Sequence, residues 1–167
     1  MKRLTAGILL VGLTLAMPLV SCSDGSRPTE RSSPAASPTT SPIAGSGVGT
    51  VVRFSTGSAS LDVTIAEDNP ATRDFLSMLP LTLTMEEFAG REKIADLPRT
   101  LHHEGSPGSD PEDGDLIYFV PWGNLGFYYD ASGIGFSDQT IHVGRYNATR
   151  EELAQFEGQD VRVEVSR

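Results

Sequence analysis

A mainly β fold, a barrel or sandwich with one or two short helices, is what this 167-residue chain predicts, and three observations predict it. Two-residue alternation recurs, with Leu61, Val63 and Ile65 against Asp62, Thr64 and Ala66, and Val161, Val163 and Val165 against Arg162 and Glu164. Successive side chains of an extended chain point to opposite faces, so each run is a strand with one buried face. All twelve aromatic residues fall after position 50, so a packed core must be built from the last ~120 residues, enough for one domain and too few for two. Helical spacing shows at only two short places.

The elements follow in order. Met1-Lys2-Arg3 is a positive start, and Leu4 to Met17 is an uncharged apolar run too short to span a bilayer comfortably. Pro18 breaks it. Leu19-Val20-Ser21-Cys22 then matches the processing site of a bacterial lipoprotein, in which a small residue precedes a cysteine whose sulfur receives diacylglycerol before cleavage makes it the new N-terminus. Residues 1–21 read as the signal peptide and Cys22 as the lipidation site, carrying acyl chains such as palmitate. The expected location is the extracytoplasmic face of the cell membrane, since two acyl chains anchor stably where one does not. Residues 22–47 are rich in Ser, Pro, Thr, Gly and Ala, with Pro28, Pro34, Pro38 and Pro42 spaced through them. They lack the apolar bulk to fold and read as a disordered tether reaching up to about 75 Å.

The domain begins at Val48 and runs to Arg167. Val48 to Phe54 reads as its opening strand. Asn69 can cap a helix, Pro70 suits the first helical position, and Ala71, Phe75, Met78 and Leu79 share a face before Pro80 stops it. That face is expected to plug the barrel. Leu81, Leu83 and Met85 alternate with Thr82 and Thr84; Ile141 and Val143 alternate with Thr140 and His142. Leu116 to Val120 is continuously apolar and forms, with Leu125 to Asp130, a hairpin turned by Trp122-Gly123-Asn124. Thr149 and Glu152 have the spacing of a capping box for a second short helix that ends at Gly158. Six or seven strands result.

Between Val48 and Arg167 stand 9 basic and 20 acidic residues, a balance of −11 that disfavours nucleic acid or an anionic lipid surface as a partner. One cysteine excludes an intrachain disulfide and a cysteine-rich zinc site.

Several blocks, taken in order, resemble the bacterial cyclophilin-like domains found in small lipoproteins and stand-alone proteins. They are Asp68-Asn69-Pro70, Leu79 to Met85, Phe88-Ala89-Gly90-Arg91-Glu92-Lys93, Leu97-Pro98, Gly114 to Tyr118 and Phe127-Tyr128-Tyr129, spanning about residues 50 to 166. The resemblance implies a closed cyclophilin-like β-barrel, and no transferable activity. Classical prolyl isomerases carry a Phe-His-Arg motif and a Gln-Gly-Gly-Asp block; the nearest fragments here, Arg53-Phe54 and Gly114-Asp115, lack the histidine and the glutamine. No catalytic residue carries over. Arg53, Arg91 and Arg145 remain as possible substitutes for the assisting guanidinium, so a prolyl isomerase with a non-standard site is the alternative to a binding module.

The densest aromatic patch lies on the proposed hairpin. Alternation puts Tyr118, Val120 and Trp122 on one side of the first strand and Leu125, Phe127 and Tyr129 on one side of the second, so Phe127 is expected in the core. Trp122 and Tyr128, at the turn and on the opposite face, are the candidates for a partly exposed surface that contacts a peptide or small molecule, with Asn124 beside them. His102-His103-Glu104 and the run Asp110, Glu112, Asp113 and Asp115 read as a flexible, solvated acidic loop. A calcium loop needs Gly at its sixth position, where Asp115 stands when counting starts at Asp110. Glu86-Glu87 and Glu151-Glu152 are expected on exposed, diverging faces. There is no Gly-x-Ser-x-Gly elbow, and neither a metal nor a cofactor is expected.

Overall fold

The computed structural model describes residues 47–166; Cys22, the signal peptide and the tether lie outside them. Nine strands and two helices follow one another as β1 (Val51–Ser55), β2 (Ser60–Ile65), α1 (Pro70–Ser77), β3 (Leu81–Thr84), β4 (Glu86–Phe88), β5 (Glu92–Asp96), β6 (Asp115–Phe119), β7 (Asn124–Tyr128), β8 (Thr140–Tyr146), α2 (Arg150–Ala154) and β9 (Asp160–Val165). All the strand pairings are antiparallel, in the order β3-β9-β1-β2-β8-β6-β7-β5-β4. The two edge strands are consecutive in the chain and joined by Met85 alone, so the sheet curls into a nearly closed barrel.

Alternation decides what fills it. In β2, Leu61, Val63 and Ile65 are buried between exposed neighbours, and Val161 and Val163 repeat the pattern in β9. Phe54 and Phe127 meet edge to face inside, ring centroids 5.1 Å apart, and both are fully buried. Burial of one such side chain stabilises by about 1.5–3 kcal/mol. Helix α1 is capped by the Asn69 side chain, which accepts from the Thr72 amide at 2.9 Å, and it adds Ala71 and Phe75 to this core. The capping box of α2 forms in both directions between Thr149 and Glu152, and Leu153 joins the same core.

The sheet has more strands than the six or seven that alternation finds. The missing pair is β4–β5. Its inward position, where an apolar residue is expected, is held by Lys93, 1% exposed and paired with the carboxylates of Glu87 and Glu157. A charged residue with its charge answered locally can occupy a core position, and a hydrophobic pattern does not register it. Glu87 is therefore not the free surface carboxylate its sequence position suggests: it also accepts from the Tyr129 hydroxyl at 2.5 Å. Burial raises its carboxyl, but the bonds from Lys93 and Tyr129 outweigh that and hold it below the ordinary range.

The segment expected to be a flexible acidic loop is irregular but tied down. Leu101 is buried with its amide on the Tyr118 hydroxyl at 3.1 Å, Asp113 accepts from the Ala131 amide at 2.7 Å, and Asp115 is buried against Arg145. No group of three or more metal-ligand side chains comes together among the described residues.

Candidate functional site: an aromatic cleft on the outer face

Strands β5, β7 and β6 carry apolar residues on both faces. Leu116, Tyr118, Leu125 and Phe127 point into the barrel, while Ile117, Phe119 and Tyr128 form a separate small cluster outside with Ala131. The continuous apolar run in β6 is thus a strand covered on both sides. On this outer face a cleft of about 320 Å3 opens, lined by Phe88, Ala89, Arg91, Glu92, Ile94, Phe119, Trp122, Asn124, Tyr128 and Ile134.

The three sequence candidates therefore line one site, in different ways. Trp122 lies in the four-residue connection between β6 and β7, closed by a bond from the Gly123 amide to the Phe119 carbonyl at 2.9 Å, and is 55% exposed. Phe88 and Phe119 both stand nearly perpendicular to its ring, at centroid distances of 5.1 and 5.4 Å. Tyr128 is only 8% exposed, a correction to the partly exposed ring expected: the 129–139 segment folds over the outer face and covers it with Ala131. Asn124 is the first paired residue of β7 rather than a turn residue, opposite Phe119 and Asp96. It is 2% exposed and lines the cleft beside Trp122 and Tyr128.

Sequence reasoning missed Phe88 and Glu92. Both lie beside the β4–β5 turn, and the turn itself was readable in Ala89-Gly90, whose residues both take positive φ (55° and 69°) with the Arg91 amide closing on the Phe88 carbonyl at 3.1 Å. Phe88 is registered opposite Glu92, and Glu92 opposite Tyr128, so the three share a face. Burial pushes the Glu92 carboxyl up to about 7; the hydrogen bond with Tyr128 opposes this and the charge of Glu87 adds to it. Burial and the Glu92 carboxylate raise the Tyr128 phenol to about 12.

Residues 54–166 match the model of the Cyclophilin-like family. The chain belongs to that family. The cyclophilin-like fold is also that of a hypothetical protein from Archaeoglobus fulgidus, whose solution structure superposes with a TM-score of 0.57 at 21% identity, covering 74% of this chain and 100% of that one. No curated protein matches the sequence. Within this cyclophilin-like domain the three arginines considered as isomerase substitutes are all engaged. Arg53 makes two 2.7 Å bonds to Asp62 on the surface, Arg91 donates to the Ser132 carbonyl at 2.6 Å, and Arg145 lies between Asp115 and Glu112. Only Arg91 reaches the aromatic cleft.

A second polar recess, of about 250 Å3, holds Asn69, Asp115, His142 and Arg145. His142 stands 3.4 Å from Asp115 and 3.5 Å from Glu67, and Asn69 donates to its carbonyl at 3.1 Å. Asn69 thereby ties the α1 cap to β8, while Asp115 Oδ1, buried within ion-pair distance of Arg145 and His142, makes no hydrogen bond among the described residues.

Proposed function

We propose that this chain is a lipid-anchored, extracytoplasmic cyclophilin-like binding module that takes a small molecule or peptide in the outer aromatic cleft. The observation that carries the reading is the exposed Trp122 ring, set nearly perpendicular to Phe88 and Phe119 in a cleft that Asn124 also lines. An exposed tryptophan fixed by its neighbours offers contact area at little entropic cost, and a side-chain amide in the same cleft can orient a polar ligand. The anchor rests on Leu19-Val20-Ser21-Cys22, and the Ser/Pro/Thr-rich stretch supplies reach from the bilayer.

A thermal-shift screen of small molecules and short peptides tests the binding role, because a ligand of the folded state alone raises the apparent melting temperature. A hit whose shift disappears in Trp122→Ala supports the cleft; hits indifferent to that substitution place binding elsewhere.

A further inference from the structure

The floor of the cleft gathers polar side chains, among them Glu92, whose carboxyl is hydrogen-bonded to Tyr128 but has no cationic partner among the described residues, and Asn124. Glu92 stands between Phe88 and Tyr128 in the cross-strand row. Its carboxyl leans over Gly126, where an added Cβ would collide with Oε2, so the glycine lets the carboxyl lie along the sheet instead of rising out of it. Among the described residues no Lys, Arg or His forms an ion pair with Glu92. Its neighbour Arg91 is turned to the carbonyls of Ser132 and Asp130, at 2.6 and 3.4 Å. Asn124, four residues from Tyr128 along β7, lines the same space.

A carboxyl in a cleft walled by aromatic rings is suited to an organic cation. Ring faces attract positive charge through their quadrupole, the carboxylate does so directly, and apolar walls match alkyl substituents. A neutral apolar ligand would leave the Glu92 carboxylate without a counter-charge, and an anion would meet the carboxylate head on. The domain's balance of −11 draws cations at longer range.

We infer that the cleft binds a small alkylated ammonium compound bearing a hydroxyl or carbonyl, with Glu92 against the charge, Trp122, Phe88 and Phe119 around the alkyl groups, and Asn124 bonded to the polar group. The assignment rests on the reading of the cleft as a ligand site and adds the class of ligand. The volume, about 320 Å3, is that of a compact small-molecule site. Charged or titratable groups facing Glu92 are Tyr128 on β7, Glu87 on β4 and Arg91 beside it. Since its carboxyl titrates near 7, ammonium binding must draw the proton off, and affinity rises as the pH passes upward through that value.

Choline and its uncharged isostere 3,3-dimethylbutan-1-ol, in which carbon replaces the ammonium nitrogen, are the probes. Each is titrated into the full chain with the fluorescence of Trp122, the chain's one tryptophan, as readout. The expected result is saturable binding of choline about tenfold tighter than the alcohol near pH 8, with the preference shrinking toward pH 6 and lost in Glu92→Gln. Equal affinity for the two probes overturns the cation assignment while leaving the cleft as an apolar ligand site. Binding that calorimetry finds unchanged in both Trp122→Ala and Asn124→Ala overturns the cleft reading itself. Absence of saturable choline binding overturns the inference.

Discussion

Glu92 and Trp122 make opposite predictions from one cleft. The Glu92 carboxyl titrates near 7 in the folded protein against an ordinary 4.5. Between those values the folded state holds a proton that the unfolded chain releases. The stability this contributes is therefore complete below about pH 4.5, declines as the pH rises, and is gone above about 7. With allowance for partial solvent exposure the change is about 1–2 kcal/mol. Urea denaturation of the wild type and Glu92→Gln at about pH 5 and 8 checks it: the substitution should flatten this part of the profile. Trp122, more than half exposed, is expected to contribute under about 1 kcal/mol to stability, so Trp122→Ala should leave the melting transition nearly in place. Tyr118→Ala is the contrasting control, since that ring is fully buried and its hydroxyl accepts the Leu101 amide; a loss of about 3–5 kcal/mol is expected.

The β4–β5 hairpin is where local sequence and global fold disagree, and its two unusual residues can be tested separately. Ala89 takes the left-handed conformation in a turn that prefers Asn or Gly there, and its side chain is exposed. Ala89→Asn should raise stability by up to about 1 kcal/mol, seen as a higher melting temperature. Lys93 is the second. Lys93→Met leaves Glu87 and Glu157 facing one another without their cation, for an expected loss of about 2–3 kcal/mol near neutral pH. Adding Glu87→Gln and Glu157→Gln should recover much of it; failure to recover would show that Lys93 matters through packing of its stem instead. These residues also mark where the sequence stops being readable. Strands β1, β2, β3, β6, β7, β8 and β9, the caps of both helices and the turn holding Trp122 follow from alternation and capping chemistry. A strand whose inward residue is a lysine follows from neither, because its partner Glu157 lies 64 positions away. Phe88 and Glu92 were hidden with it. Asn124 and Tyr128 were legible as surface candidates, but not their burial, which for Tyr128 comes from packing with Ile117 and Ala131 on the outer face.

For the molecule as a whole, membrane attachment and folding should separate cleanly. Cys22→Ser is expected to release the protein from membranes, with fractionation as the measurement. A chain beginning at Val48 should retain a single cooperative thermal transition, since the described strands and both helices lie beyond that point. The two ends of this domain also lie side by side: Val52 pairs with Val165, and the Ser166 amide bonds to the Val51 carbonyl at 2.8 Å. Strand β1 lies between β9 and β2 in the sheet order, whereas the cleft is built on β4 to β7, so the ends of the domain and its cleft occupy different strands. Geometrically the barrel is a cassette. It can be spliced into a loop of a host protein, or have its ends joined and a new opening cut elsewhere, while its strand pairings and its aromatic cleft travel with it intact.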